Sequence, residues 1–400
     1  MGVTVTPSQK FLIFWLALIA GLAVGSKIDL PVMTLFWLLA LWLCLLISGQ
    51  QERVELISII MSAFIGGLAV WQLTGGEIWF KAGFLQGIVA KLEQFRDTIT
   101  DRIFLAMPEP HGSLLTGILL GNRVKLDRDL LETFRVVGLS HLIAVSGYNL
   151  SILTVNAQAL LRPWLGRRAV FLSFALIVAF VILSGAPSSI LRAAVMASAL
   201  LLATYLGRPR RSINILIFAA GFLALFEPKI IFEIGFQLSI AATYALVRLA
   251  PVIAWSLERY PKIPETLRLI IAETLAATLM TAPILIAYFE RISLVSPLSN
   301  LLVLPIMPIL MGIGIAGTAL VLLVPALGNL ALMLGWPLLE WIIQVSHRLG
   351  GLEHAVEAAS LPLWATVLIV VGMVVAVEWL FLTWRRRVPD IAVNFRLARI

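Results

Sequence analysis

Charged residues are scarce. They make up 13% of a 400-residue chain that is 60% hydrophobic, whereas soluble chains carry roughly 25%. That excludes an ordinary soluble domain, because no core of this length hides so much apolar surface. The mean hydropathy of +0.99 points to the bilayer as solvent. Cysteine is almost absent. Cys44 stands alone in an apolar run, which rules out an intrachain disulfide and a cysteine-based metal site. Histidine is sparse too: His111, His141, His347 and His354 form no zinc-type cluster in sequence. No glycine-rich phosphate loop ending in Lys-Ser/Thr is present, which excludes an ATP motor of that type. No cofactor is expected.

What is there is a series of apolar runs. The length accommodates about ten to twelve spans of roughly 20 residues each. They fall near 11–28, 31–48, 54–73, 139–161, 169–184, 187–206, 212–226, 231–250, 268–288, 296–324, 327–349 and 362–384. The first follows Lys10 and has no small-residue cleavage site, so it reads as an uncleaved span. The stretch 212–226 is short, and 296–324 is long and interrupted by prolines.

Lys and Arg number 30 against 22 Asp and Glu, a net charge of +8. A basic excess suits a nucleic-acid partner. In a membrane protein it more often sits in cytoplasmic loops. Arg162, Arg167 and Arg168, then Arg208, Arg210 and Arg211, then Arg259, Lys262 and Arg268, then Arg385, Arg386 and Arg387 all fall on one side if the spans alternate. The opposite loops are nearly neutral. The pattern predicts both termini in the cytoplasm.

Residues 75–138 hold no clear span. Phe84, Ile88, Leu92, Phe95, Ile99 and Ile103 recur at helical spacing, with Lys91, Gln94, Asp97, Thr98 and Asp101 elsewhere on the wheel. This is an amphipathic helix, lying either in the outer membrane interface or against the bundle. Pro108 and Pro110 end it. Short helices are expected from about Ser113 and from about Asp127, a suitable N-cap.

Polar groups inside spans are costly, so their positions are informative. His141, Asn149 and Asn156 share one helical face, with Ser146 and Gly147 close by. Arg192 follows Ser188 and Ser189. Glu233 and Gln237 lie one turn apart. Glu273 accompanies Thr274, Thr278 and Thr281, and Asn300 sits just inside the tenth span. Taken singly, each reads as an interhelical hydrogen bond or ion pair. Clustered in the central spans and absent from the first three, the set reads as a wet path for a polar substrate. The breaks at Ser184-Gly185-Ala186-Pro187 and at Ser296-Pro297, Pro305 and Pro308 either line such a path or are simple kinks. An intramembrane Ser-His hydrolase is disfavoured. Ala144 replaces the first glycine of a nucleophile elbow, and His141 and Ser146 diverge by about 140° on a helix.

Three segments form a recognisable opening: Gly117-Ile-Leu-Leu-Gly-Asn-Arg123, Leu131-Glu-Thr-Phe-Arg135 and Gly138-Leu-Ser-His-Leu-Ile-Ala-Val-Ser-Gly147. Leu191-Arg192-Ala193, Gly235-Phe-Gln-Leu-Ser239 and Ser296-Pro-Leu-Ser-Asn-Leu-Leu-Val-Leu-Pro305 follow in order. Together they resemble the competence domain of the ComEC family over roughly residues 105–350. The resemblance implies an inner-membrane channel that takes up one DNA strand while the other is degraded outside. His141, Ser146, Gly147, Arg192, Gln237 and Asn300 fall on family motif positions. Asn149 departs from the family, many members of which have His there. Larger members carry an OB-like domain, for which residues 75–105 are too short, and a metallo-β-lactamase-like domain, which these residues lack. A nuclease step is therefore expected from another chain.

The expectation is an all-α, polytopic integral membrane bundle of about ten to twelve spans plus an interfacial amphipathic helix. It divides into a three-span segment at 1–74, an amphipathic region at 75–110, a channel domain at 111–350 and a final span with basic tail at 351–400. The candidate path residues are His141, Ser146, Gly147, Asn149, Arg192, Glu233, Gln237, Glu273 and Asn300, with no catalytic or metal-binding residue. The expected partners are single-stranded DNA, the lipid bilayer, and DNA-receptor, nuclease and cytoplasmic motor proteins on other chains. A homo-oligomer rests on analogy alone. The competing function is a secondary transporter of a small polar or anionic solute, with Glu233 or Glu273 coupling protons.

Overall fold

The structure, a computed structural model, describes residues 6–26, 59, 63–64, 66–67, 70, 83–121, 126–143, 147–185, 188–205 and 212–387. In chain order the helices are α1 (Pro7–Gly25), α2 (Gly83–Ala106), α3 (His111–Leu120), α4 (Arg128–Val136), α5 (Ser140–Ile143), α6 (Gly147–Leu165), α7 (Ala169–Leu183), α8 (Ser188–Tyr205) and α9 (Ser212–Phe226). They continue as α10 (Ile234–Arg248), α11 (Ala250–Leu257), α12 (Glu265–Phe289), α13 (Ser296–Val303), α14 (Met307–Leu323), α15 (Pro325–Met333), α16 (Trp336–Gly350) and α17 (Leu363–Arg387). Two short strands, β1 (Arg291–Ser293) and β2 (Val356–Ala358), pair antiparallel with Arg291 opposite Ala358.

Among the described residues, five stretches are long and apolar enough to cross a membrane: 161–183, 265–289, 296–323, 325–350 and 363–387. Helices α10 and α11, bent by 42°, make a sixth if read as one span. The protein is a multi-pass, all-helical membrane protein. The remaining expected spans that are described, at α1, α8 and α9, are apolar but shorter. A 15-residue helix rises only about 22 Å. The expected span at 139–161 is divided into α5 and α6, with 144–146 outside the described residues. The span at 31–48 and most of 54–73 also lie outside them. The prolines of the tenth span act as expected: Pro305 sits in a single 3₁₀ turn between α13 and α14, and Pro308 opens α14. Each lacks the N–H that a helix interior would need.

The chain forms two units, one of residues 1–83 with 202–237 and one of 84–201 with 238–400. In the first, α1 packs on α9. A capping box opens α1: the Thr6 N–H donates to Gln9 Oε1 at 2.8 Å, and the Gln9 N–H donates to Thr6 Oγ1 at 3.4 Å. Trp15 meets Phe218 edge-on at 5.3 Å between ring centroids.

The second unit has its largest core around α3, all ten of whose residues are buried. A mostly apolar helix buried on every side, its few polar groups included, sits inside the bundle rather than on its surface. Leu114, Leu115 and Ile118 of α3 join Phe134 of α4, Val303 of α13, Met307, Leu310 and Met311 of α14, and Leu339 and Ile342 of α16. Helix α2 contributes Ile99, Ile103 and Ala106 to the same core, while Phe95, Asp97, Asp101 and Arg102 are exposed. The C-terminal half of the amphipathic helix thus packs on the bundle. Asp127 stands at the N-cap of α4 but makes no side-chain capping hydrogen bond. A second core joins Ala245 and Leu249 to Ala276 and Met280 of α12 and Val377 of α17. A third joins α6, α7 and α8 around Leu150, Ile177, Ala194 and Leu201.

Candidate functional site

The turn from α4 to α5 requires a glycine. Gly138 has φ +74°, and a Cβ there would run into the Ser296 side chain. The N-terminus of α13 therefore seats directly on this turn, and Ser299 Oγ donates to the Val137 carbonyl at 2.6 Å. Asn300, one residue further, is 8% exposed. Its Nδ2 donates to Ser296 Oγ at 3.3 Å. Its Oδ1 is buried with no hydrogen-bond partner among the described residues. His141 lies on the four-residue α5 with its ring exposed and Nδ1 3.1 Å from the Gly138 carbonyl oxygen.

The start of α6 meets α8. A Cβ on Gly147 would sit 3.1 Å from Ala193 Cβ, so the missing side chain lets α6 come this close beside Arg192. Arg192 is 2% exposed and ranks among the largest fully buried side chains. Asn149 is wholly buried, and its Nδ2 donates to the Ile118 carbonyl near the end of α3 at 3.0 Å. That bond serves one of the carbonyls a helix C-terminus leaves open. Three segments singled out in the sequence, around Gly138–Gly147, Leu191–Ala193 and Ser296–Asn300, are thus adjacent within one unit. Ser146 lies outside the described residues.

Glu233 and Gln237 belong to the other unit. Glu233 is exposed at the end of a 3₁₀ turn, and Gln237 Nε2 donates to the Ile231 carbonyl at 3.3 Å. Glu273 is half-buried on α12, and beside it Thr274 Oγ1 is buried with no hydrogen-bond partner among the described residues. Neither Glu233 nor Glu273 makes an ion pair among the described residues. No group of three or more His, Cys, Asp or Glu there is placed to hold a metal ion.

Two polar clusters escaped the sequence reading. Arg248, at the bend between α10 and α11, lies 2.9 Å from Glu378 Oε1 of α17 and 4.5 Å from the centre of the Phe381 ring. The Tyr244 hydroxyl donates to the same carboxylate oxygen at 2.9 Å. Arg248 stands at the end of its span, and its partner Glu378 lies 130 residues further along the chain, so no local pattern pairs them. The second cluster joins α3 to α16: His111 Nε2 lies 2.8 Å from Glu340 Oε2, and Gln344 Nε2 donates to Glu340 Oε1 at 2.7 Å. Its signal was available as Glu340, Gln344 and His347 at helical spacing.

Outside the spans, Glu132 of α4 accepts from Arg135 Nη1 at 3.0 Å and from Arg291 Nη1 of β1 at 2.9 Å. The Arg135 bond first, then the Arg291 bond, hold its carboxyl below the ordinary carboxylate value. In the first unit Glu227 moves the other way, pushed up by burial and then by the neighbouring charge of Glu233.

The fold and these clusters define a helical membrane protein with polar side chains gathered between its helices. The family model for the competence protein matches residues 118–387, well over half of the chain. The chain belongs to that family. It is similar to ComE operon protein 3 of Bacillus subtilis (strain 168), 28% identical over 240 residues, covering 59% of this chain and 30% of that protein. It is also similar to the uncharacterized protein YcaI of Escherichia coli (strain K12), 26% identical over 211 residues, covering 50% of this chain and 28% of that one. The chain thus matches less than a third of the length of either relative. No solved structure matches it.

Proposed function

We propose that this chain is a membrane channel that passes single-stranded DNA into the cytoplasm during natural transformation. The observation that carries this reading is the family match over residues 118–387. The contact of its motif segments at Gly138–Ser296 and Gly147–Ala193 supports it. A DNA strand carries a negative charge at each nucleotide, so its path needs polar lining and positive potential. Arg192 supplies a cation among the apolar helices, and Asn149, Asn300 and Gln237 supply neutral hydrogen-bonding groups. DNA-receptor, nuclease and cytoplasmic motor proteins on other chains are the partners this reading proposes. The basic residues at the span ends, around Arg162, Arg259 and Arg385, favour an inner-membrane protein with both termini in the cytoplasm.

The test is uptake of fluorescently labelled DNA by cells that lack their own channel and express this chain, wild type beside Arg192→Ala. Cytoplasmic DNA with the wild type, and none with a variant still present in the membrane, is the expected result. No uptake by well-expressed wild type, with the host's competence partners present, would sink the DNA reading. A second reading, a proton-coupled solute transporter, is favoured by Glu273, an intramembrane carboxyl without an ion-pair partner among the described residues. Solute uptake abolished by Glu273→Gln would support it.

A further inference from the structure

Helix α16 has two unlike faces. Leu339, Ile342, Ile343, Val345 and Ser346 are buried against the bundle. Trp336, Glu340, Gln344 and His347 recur at intervals of four, four and three residues on the other side. Gln344 and His347 are exposed, and the Glu340 side chain is 31% exposed. Yet residues 325–350 are long and apolar enough to span a membrane. A partly exposed carboxylate and an exposed carboxamide are not stable against hydrocarbon; at that depth they call for water. The exposed face of α17 shows what lipid selects instead: Trp364, Val367, Leu368, Val371 and Val375.

His111 is an independent observation. It is 7% exposed, and its ring lies 5.1 Å from that of Trp336. Its Nε2 engages Glu340, while Nδ1 is buried with no hydrogen-bond partner among the described residues. A buried ring nitrogen left over beside a partly exposed carboxylate calls for a water molecule.

We infer that the Glu340–Gln344–His347 face of α16 borders a water-filled path through the membrane domain, with His111 of α3 in its wall. What travels along that path rests on the channel reading above; the water does not.

The experiment uses the full chain in proteoliposomes, with Cys44→Ser as background and single cysteines at Gln344 and at Val371. The reagent is a charged, membrane-impermeant thiosulfonate. Because only a hydrated, ionised thiol reacts, Gln344→Cys should label at least about tenfold faster than Val371→Cys. Equally slow labelling would overturn the inference. A helix lying flat on the membrane would also label, so nitroxides at Leu334 and Leu352, both exposed, measure depth. A spanning α16 separates them by about 25 Å along the helix axis; equal shallow depths would overturn the path. Adding single-stranded oligonucleotide separates the two readings. Slowed labelling at Gln344 supports both. Fast labelling that DNA leaves unchanged keeps the water-filled path and counts against DNA as its cargo.

Discussion

Helices α3 and α17 are both apolar, and the structure treats them oppositely. Every residue of the ten in α3 is buried. Of the 25 in α17, Thr366, Val377, Phe381 and Trp384 are buried, while Leu363, Trp364, Val367, Leu368 and Val371 stand more than half exposed. One helix is solvated by protein, the other by lipid on most of its surface. The polar residues mark the difference. Helix α3 carries His111, Ser113 and Thr116 in buried positions, where neighbouring protein can serve them. Helix α17 holds one carboxyl within its apolar stretch, Glu378, and turns it toward Arg248 and Tyr244. Hydropathy reports that a segment avoids water; it does not report what replaces the water.

The comparison can be broken most directly at one side chain in each helix. Leu114→Ala removes packed atoms that lipid cannot replace, so it should cost about 2–5 kcal/mol. Val371→Ala, on a side chain 55% exposed, should stay within about 0.5 kcal/mol. Thermal unfolding of both variants in detergent gives the answer. Equal costs would mean that α3 is not the packed centre of the unit.

The Arg248–Glu378 pair sharpens the comparison on the α17 side. Its side chains are 20% and 34% exposed, so breaking it strands a partly desolvated charge. Glu378→Gln should cost about 1–3 kcal/mol. Arg248→Met with Glu378→Met should recover most of that. A double-mutant cycle measures the coupling, and a coupling near zero would make the pair incidental.

The smallest effect is expected at Glu132, about half exposed. Glu132→Gln should cost less than about 1 kcal/mol at neutral pH. The folded carboxyl lies below its ordinary value, so its contribution is complete above that value. It fades as the pH falls through the lowered one. Wild type and Glu132→Gln should therefore converge in stability on acidification. A gap that holds or widens in acid would exclude this ion pair as its cause.

Legibility in the sequence followed the same division. Period and composition placed α12, the stretch 296–323 that holds α13 and α14, and α17 close to their observed positions, because long apolar segments declare themselves locally. The helix near Ser113 was expected as a short helix, with nothing to say what surrounds it; its burial on all sides depends on α14 and α16, nearly 200 residues away or more. Gly138 and Ser296 stood in separate motifs, and only the turn at φ +74° brings one against the other. His111 and Glu340, 229 residues apart, carry no local sign of each other.

The sequence by itself determined that the chain is helical, crosses the membrane several times and resembles one family, since each follows from local hydropathy and short motifs. Tertiary structure decided which apolar faces meet protein rather than lipid. It seated Asn149 on the Ile118 carbonyl, paired Arg248 with Glu378 and turned the polar face of α16 outward. The physical reason is that lipid and protein interior are both apolar, so one residue's preference for either is the same. Only packing, which closes contacts between distant segments, tells them apart.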